Sequence, residues 1–223
     1  MQETSRAFAA LARLRAAGFA PEAILDIGAY RGEWAIAARR LFPEAHIRLL
    51  DALEENAVAL ATAAARIGNA TAGIAVLGRE DGVERDFHVV HAGVQTGSSL
   101  YAENTRFPRE ARRVVQRSLA ARLAGDPRHY ALAKLDVQGA ELDILRGAGS
   151  RLEALEAVQM EVALRPYNAG APLIAEVLAG MEAMGFTAFD ILDDIRLPGQ
   201  GLLVQVDMLF LRHGSRFVPA PPF

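Results

Sequence analysis

The chain has no cysteine among its 223 residues. That removes disulfides, thiolate metal ligands and a cysteine nucleophile together. It has no apolar run near the roughly 18 residues that cross a bilayer. Its N-terminal stretch is interrupted by Arg6, Arg13 and Arg15, so neither a membrane span nor a signal peptide is expected, and the cytoplasm is the expected location. It also lacks strong charge: a formal −3 at pH 7 leaves no footprint for a phosphate backbone, and nucleic acid is not an expected partner despite Arg109, Arg112, Arg113 and Arg117. No Pro/Gly/Ser-rich linker divides it, so one domain over residues 1–223 is expected.

What is present is an ordinary globular composition, 52% hydrophobic and 23% charged, with an α/β alternation. Phe8, Leu11 and Leu14 predict an amphipathic helix over residues 5–17, within an N-terminal segment 1–20 that lies on the domain. Residues 23–27 form an apolar strand that runs through Asp26 into the turn Gly28-Ala29-Tyr30-Arg31-Gly32. A helical face follows from near Glu33 and ends before Pro43. His46 to Asp51 reads as a second strand, Leu53 to Ile67 as a helix and Ile74 to Leu77 as a third strand. A strand–helix–strand unit in one sheet is parallel and right-handed, which makes Gly28 and Asp51 neighbours at the edge where ligands of doubly wound sheets bind.

The alternation then breaks. The turn Gly78 to Gly82 followed by Val83 to Val90 predicts a hairpin projecting from the third-strand region, and Pro108 to Leu123 predicts a helix. Residues 78–130 are thus read as an insertion that shapes an acceptor site. Further strands are expected at Ala131–Asp136, Ala157–Val162, Thr187–Leu192 and Leu203–Leu211, with helices at Ala140–Arg146 and Pro172–Met184 between them. The last two strands should form an antiparallel hairpin at the sheet edge, and residues 213–223, ending Pro219-Ala220-Pro221-Pro222-Phe223, a surface tail. The expected fold is α/β and Rossmann-like: a seven-stranded mixed sheet with helices on both faces.

The turn is Asp-x-Gly-x-x-x-Gly, not the dinucleotide fingerprint G-x-G-x-x-G, and no Gly-Lys-Ser/Thr follows it. With a second acid nineteen residues after Gly32, it resembles class I S-adenosylmethionine-dependent methyltransferases. In that resemblance Asp26, Gly28, Ala29, Tyr30 and Gly32 form the turn around the methionine moiety. Asp51, followed by Ala52 and Leu53, accepts hydrogen bonds from both ribose hydroxyls. The run Lys134-Leu135-Asp136-Val137-Gln138-Gly139-Ala140-Glu141 through Gly147-Ala148 resembles the signature of the FkbM-type methyltransferases, and Gly97-Ser98-Ser99-Leu100 and Gln205-Val206-Asp207-Met208-Leu209-Phe210 resemble segments flanking it. Gln138 stands where Glu is also frequent, and the usual Leu-Asp-Asp before the signature is missing.

The resemblance implies methyl transfer from S-adenosylmethionine to a hydroxyl of a small molecule, sugar or glycolipid. Such a reaction needs a group on the acceptor side of the methyl to remove the hydroxyl proton. Asp136 is the first candidate, with Glu141 and Glu161 as catalytic partners at the same mouth. Two options stand: mutual repulsion that raises one carboxyl into base range, or a divalent ion such as Mg2+ held by the oxygens. Ser98, Ser99 and His129 are candidate acceptor contacts. No Asn/Asp-Pro-Pro-Tyr/Phe motif follows the fourth strand, which argues against transfer to nitrogen.

Overall fold

The computed structural model describes residues 6–218 apart from 92–96, 106 and 198. Helix α1, Arg6–Ala16, leads into strand β1, Ala23–Ile27, whose five residues are all buried. Helix α2, Glu33–Leu41, and strand β2, His46–Asp51, complete the first parallel unit. A 3-10 turn, Glu54–Asn56, opens α3, Ala57–Ile67, which leads to β3, Ala70–Ile74. The insertion holds β4, Leu77–Gly78, β5, Val83–Val90, β6, Arg109–Ser118, and α4, Leu119–Arg122. Then follow β7, Tyr130–Leu135, α5, Glu141–Arg146, α6, Arg151–Ala154, and β8, Ala157–Ala163. Helix α7, Ile174–Ala183, β9, Phe186–Arg196, and β10, Leu203–Arg212, close the chain.

Seven strands form one sheet in the order β3-β2-β1-β7-β8-β10-β9, and β4, β6 and β5 form a small second sheet. In the large sheet β10 alone runs opposite to the other six strands, pairing antiparallel with β8 and β9. Alternate residues of each strand enter opposite layers. Ile24, Ile47, Leu49 and Leu132 pack with Leu11, Leu14, Ala35 and Leu60 of α1 to α3, while Leu25, Ile27, Ala133 and Leu135 pack with Leu142, Leu145, Val177 and Met181 of α5 and α7. Among the described residues no helix is long and apolar enough to cross a membrane.

Three expectations change. The third strand is Ala70–Ile74, directly after Gly68-Asn69, and not Ile74 to Leu77. Its outer position in the sheet lets it be half-exposed and weakly apolar, so the stronger apolar run downstream, which lines a cavity, draws the eye instead. The helix expected over 108–123 is mostly strand β6, followed by one helical turn. β5 does not fold back on β4. It pairs antiparallel with β6 from Val83↔Gln116 to Val90↔Arg109. Arg113 is held across the ribbon by Asp86 and Glu84 and Arg112 by Glu55 and Glu110, so tertiary pairing overrides a sequence with no apolar alternation.

At the C-terminal end, Phe217 stands edge-on to Phe19 with centroids 5.6 Å apart. Residues 213–218 therefore pack against the body of the molecule, and the remainder of the expected tail, 219–223, lies outside the described residues.

Candidate active site

Register assembles the site. Ile27 pairs with Leu50 of β2 and with Leu135 of β7, so Gly28, Asp51 and Asp136 emerge together at the C-terminal edge. Gly28 and Ala29 both donate backbone N–H bonds to the Leu50 carbonyl, at 2.9 and 3.0 Å. Gly28 has φ 74°, and a Cβ there would overlap the Asp136 carbonyl oxygen. Gly32, φ 78°, would set a Cβ 2.6 Å from Ala63 Cβ and 2.9 Å from Leu49 Cδ2. Both glycines therefore admit other parts of the protein, and Gly32 serves helix packing.

The turn, the β2 end and the insertion enclose a cavity whose volume, open mouth included, is about 680 Å³. Gly28, Tyr30, Asp51, Ala52, Leu53 and Asn56 line its polar side, and Val76, Leu77, Phe87 and Leu100 its apolar side. Asp51 Oδ2 accepts from Tyr30 N at 2.8 Å. Its Oδ1 accepts from Leu53 N and from Asn56 Nδ2, each at 2.9 Å. Tyr30 holds φ 49°, rare for a non-glycine residue, and Arg31 lies over its ring at 4.9 Å. Asp26, expected beside the ligand, is fully buried behind the turn and does not border the cavity.

The cross-strand partner of Asp26 is Lys134. The ammonium lies 3.6 Å from Asp26 Oδ1 and 3.4 Å from Asp136 Oδ2, and donates to the Gly28 carbonyl at 3.2 Å. Burial pushes the Asp26 carboxyl up to about 6 despite this cation. Burial opposes the charge on Lys134 too, but Asp136 and Asp26 outweigh it and its pKa is raised.

Asp136 borders the cavity, its side chain 44% exposed. Gln138 Nε2 bridges Asp136 Oδ1 at 3.0 Å and Glu161 Oε2 at 3.3 Å, and Gln205 Nε2 also donates to Glu161. Glu161 and Glu141 line a smaller second cavity with Tyr167, Asn168 and Gln205. Across the sheet Glu161 faces Asp207, which faces Asp193. Burial first, then the charges of Asp136, Glu141 and Asp207, raise the Glu161 carboxyl well above its ordinary value. Burial and Asp136 likewise bring Asp207 to about 6.

Other expected site residues take different places. Glu141 is buried and accepts from Val137 N at 2.9 Å and Gly139 N at 3.0 Å, so it clamps the signature turn and does not join Asp136 at the first cavity. Burial raises it to about 7 against the pull of those donors. Ser99 Oγ lies at hydrogen-bonding distance from the carbonyls of Val137 and Gln138, 3.0 and 2.9 Å. It is a second clamp on the same turn, where Gln138 holds φ 58°, and its hydroxyl is taken from any acceptor. Ser98 does line the cavity, its Oγ accepting from Val90 N at 3.1 Å. His129 is at the wrong edge: it precedes β7 and lies beside Phe19 and Phe217, about 20 Å along the strand from Asp136. Among the described residues no three His, Asp or Glu side chains converge on a metal-sized position.

Sequence reasoning missed Asn56 and the wall formed by Val76, Leu77, Phe87 and Leu100. The apolar run at residues 74–77 was the available signal, assigned to a strand.

A strand order of β3-β2-β1-β7-β8-β10-β9, a glycine turn against a carboxylate at the β2 end and an apolar wall beside them define a class I S-adenosylmethionine-dependent methyltransferase. The donor set fits that cofactor, since Asp51 has acceptor capacity at the cavity and the wall suits an adenine face. Within the class, residues 26–188 match the methyltransferase FkbM domain, and the chain belongs to that family. The fold is similar to the O-methyltransferase TomG of Streptomyces achromogenes, solved with S-adenosylmethionine: 16% identity, TM-score 0.52, covering 94% of this chain and 79% of that one. It is also similar to a precorrin-6y C5,15-methyltransferase of Geobacter metallireducens, at 9% identity and TM-score 0.50 over 91% and 86% of the chains. At these identities the likeness is one of fold. No curated protein sequence matches the chain significantly.

Proposed function

We propose that this methyltransferase transfers the methyl group to a hydroxyl oxygen of a small, hydroxyl-rich acceptor of the sugar or glycolipid type. The observation that carries the reading is the partly exposed Asp136 carboxylate at the border of the donor cavity, beside withdrawn acids. When bound, S-adenosylmethionine supplies an electrophilic methyl group on a sulfonium centre. Tyr30, Asp51, Ala52 and Leu53 hold the donor, and Leu77, Phe87 and Leu100 exclude water from it. Asp136 would accept the proton of the acceptor hydroxyl as the methyl passes to that oxygen, the sulfur–methyl bond breaking and S-adenosylhomocysteine leaving, and its carboxylate is held in place by Lys134 and Gln138.

The polar groups gathered beside Asp136, namely Gln138, Glu161 and Gln205, support a polar acceptor with several hydroxyls over an apolar one. The insertion over residues 78–130, which contributes Phe87, Ser98 and Leu100 to the first cavity, is proposed to shape the acceptor's approach within a single domain. Action in the cytoplasm belongs to the same proposal. A screen of sugars and lipid-linked saccharides, read as S-adenosylhomocysteine release, tests the reading. Turnover on hydroxyl acceptors is expected, and turnover confined to amine acceptors would overturn it.

A further inference from the structure

The carboxylate at the β2 end has less room for a ribose than the expected pairing with two hydroxyls requires. A carboxylate offers about four acceptor positions, two on each oxygen. Leu53 N and Asn56 Nδ2 fill both positions on Asp51 Oδ1. Tyr30 N takes one of the two on Oδ2. One position is left, and it can serve one hydroxyl.

Asn56 is the side chain among the three donors that crowd Asp51. It ends the 3-10 turn Glu54–Asn56, where its own N–H donates to the Leu53 carbonyl at 3.0 Å, so its backbone is fixed before any ligand arrives. The residue is 7% exposed and borders the cavity. Because Asp51 only accepts, the atom 2.9 Å from it must be the amide nitrogen, which assigns the Asn56 oxygen to the other branch. That oxygen has no hydrogen-bond partner among the described residues and is not sealed from solvent, so at the cavity wall it is free to accept from a ligand donor.

We infer that ribose recognition is divided: Asp51 Oδ2 accepts one ribose hydroxyl of the cofactor and Asn56 Oδ1 accepts the other. Asn56 is thus a cofactor-binding and specificity-determining residue. The inference rests on the S-adenosylmethionine site and is independent of which acceptor is methylated.

Calorimetry with the full chain tests it, using S-adenosylhomocysteine and its 2′-deoxy and 3′-deoxy analogues as probes. Loss of one neutral hydrogen bond weakens binding by about threefold to tenfold, so the wild type is expected to bind each deoxy analogue more weakly by about that factor or more. In Asn56→Ala the penalty for one analogue should vanish while the other persists. Asn56→Ser, whose shorter side chain keeps a donor near Asp51, should show the same selective loss and guards against a fold defect in the alanine variant. If Asn56 matters only for stability, all three ligands weaken in parallel and both penalties remain, which would overturn the inference. Both penalties remaining with unchanged affinities would overturn it as well, since Asp51 would then serve both hydroxyls. Failure of the wild type to bind S-adenosylhomocysteine at all would overturn the cofactor site and this inference with it.

Discussion

Gly28 and Gly82 have the same backbone angle, φ 74°, and opposite surroundings. An alanine Cβ at Gly82 would meet nothing within 4 Å, whereas at Gly28 it would overlap the backbone oxygen of Asp136. The left-handed conformation costs a non-glycine residue about 1–2 kcal/mol, and this amount is common to both substitutions. Gly28→Ala adds an overpacking cost of about 1–3 kcal/mol, because the obstacle is strand-end backbone and not the tip of a flexible side chain. Gly82→Ala should therefore lose about 1–2 kcal/mol and Gly28→Ala about 2–5 kcal/mol. For a chain of this size each kcal/mol lowers Tm by about 2–4 °C. Thermal and urea unfolding of the two variants side by side measure the difference, which isolates the contact between the turn and the end of β7. The displaced atom belongs to Asp136, so Gly28→Ala should also depress turnover, while Gly82→Ala should leave it unchanged. Equal stability losses in the two variants would refute the reasoning that Gly28 is required by the approach of Asp136.

Two further outcomes follow from the site. Asp51→Ala removes a charge-assisted hydrogen bond to the ribose worth about 1.5–3 kcal/mol, and calorimetry should find S-adenosylmethionine bound roughly tenfold to a hundredfold more weakly; unchanged affinity would remove Asp51 from the cofactor site. The Glu141 carboxyl, raised by burial to about 7 from an ordinary value near 4.5, holds its proton longer in the folded chain than in the unfolded one. Its contribution is complete below about pH 4.5 and is lost as pH rises through about 7. Asp26 and Asp207, both brought to about 6, act in the same direction. Urea unfolding at pH 5 and pH 8 should show the wild type less stable at the higher pH, and a smaller decline in Glu141→Gln; an equal decline would mean that Glu141 does not titrate in that window.

The parts of the fold that were legible in the sequence are those where local pattern and tertiary role agree. β1, β2 and β8 are buried apolar runs between turn signals, and the parallel unit they begin brings Gly28, Asp51 and Asp136 to one edge. β6 was illegible because Arg113 pairs with Glu84 and Asp86 of β5, Arg117 with Asp81 and Arg112 with Glu55 as well as its neighbour Glu110, and most of these partners lie outside any local window. Glu141 and Ser99 were recognisable as site residues by their motifs, but their oxygens serve backbone groups of the 137–139 turn, a role that depends on which way the chain curls after β7. His129 sits seven positions before Asp136, and only the strand between them reveals that they occupy opposite edges of the sheet. Asn56 carries no motif at all, and its position becomes meaningful once the other donors to Asp51 are known.

The central claim is a division of labour in which the Asp51 side of the cavity holds the methyl donor and Asp136 takes the proton from the acceptor. The most direct measurement is Asp136→Asn assayed in two ways, S-adenosylmethionine affinity by calorimetry and S-adenosylhomocysteine release with a hydroxyl acceptor found in the screen. The account predicts affinity within about twofold of wild type, well below the tenfold that 1.4 kcal/mol would give, and turnover lower by about a hundredfold to ten-thousandfold, the usual range for loss of a general base. Unchanged turnover, or a loss of cofactor affinity that matches the loss of turnover, would contradict it.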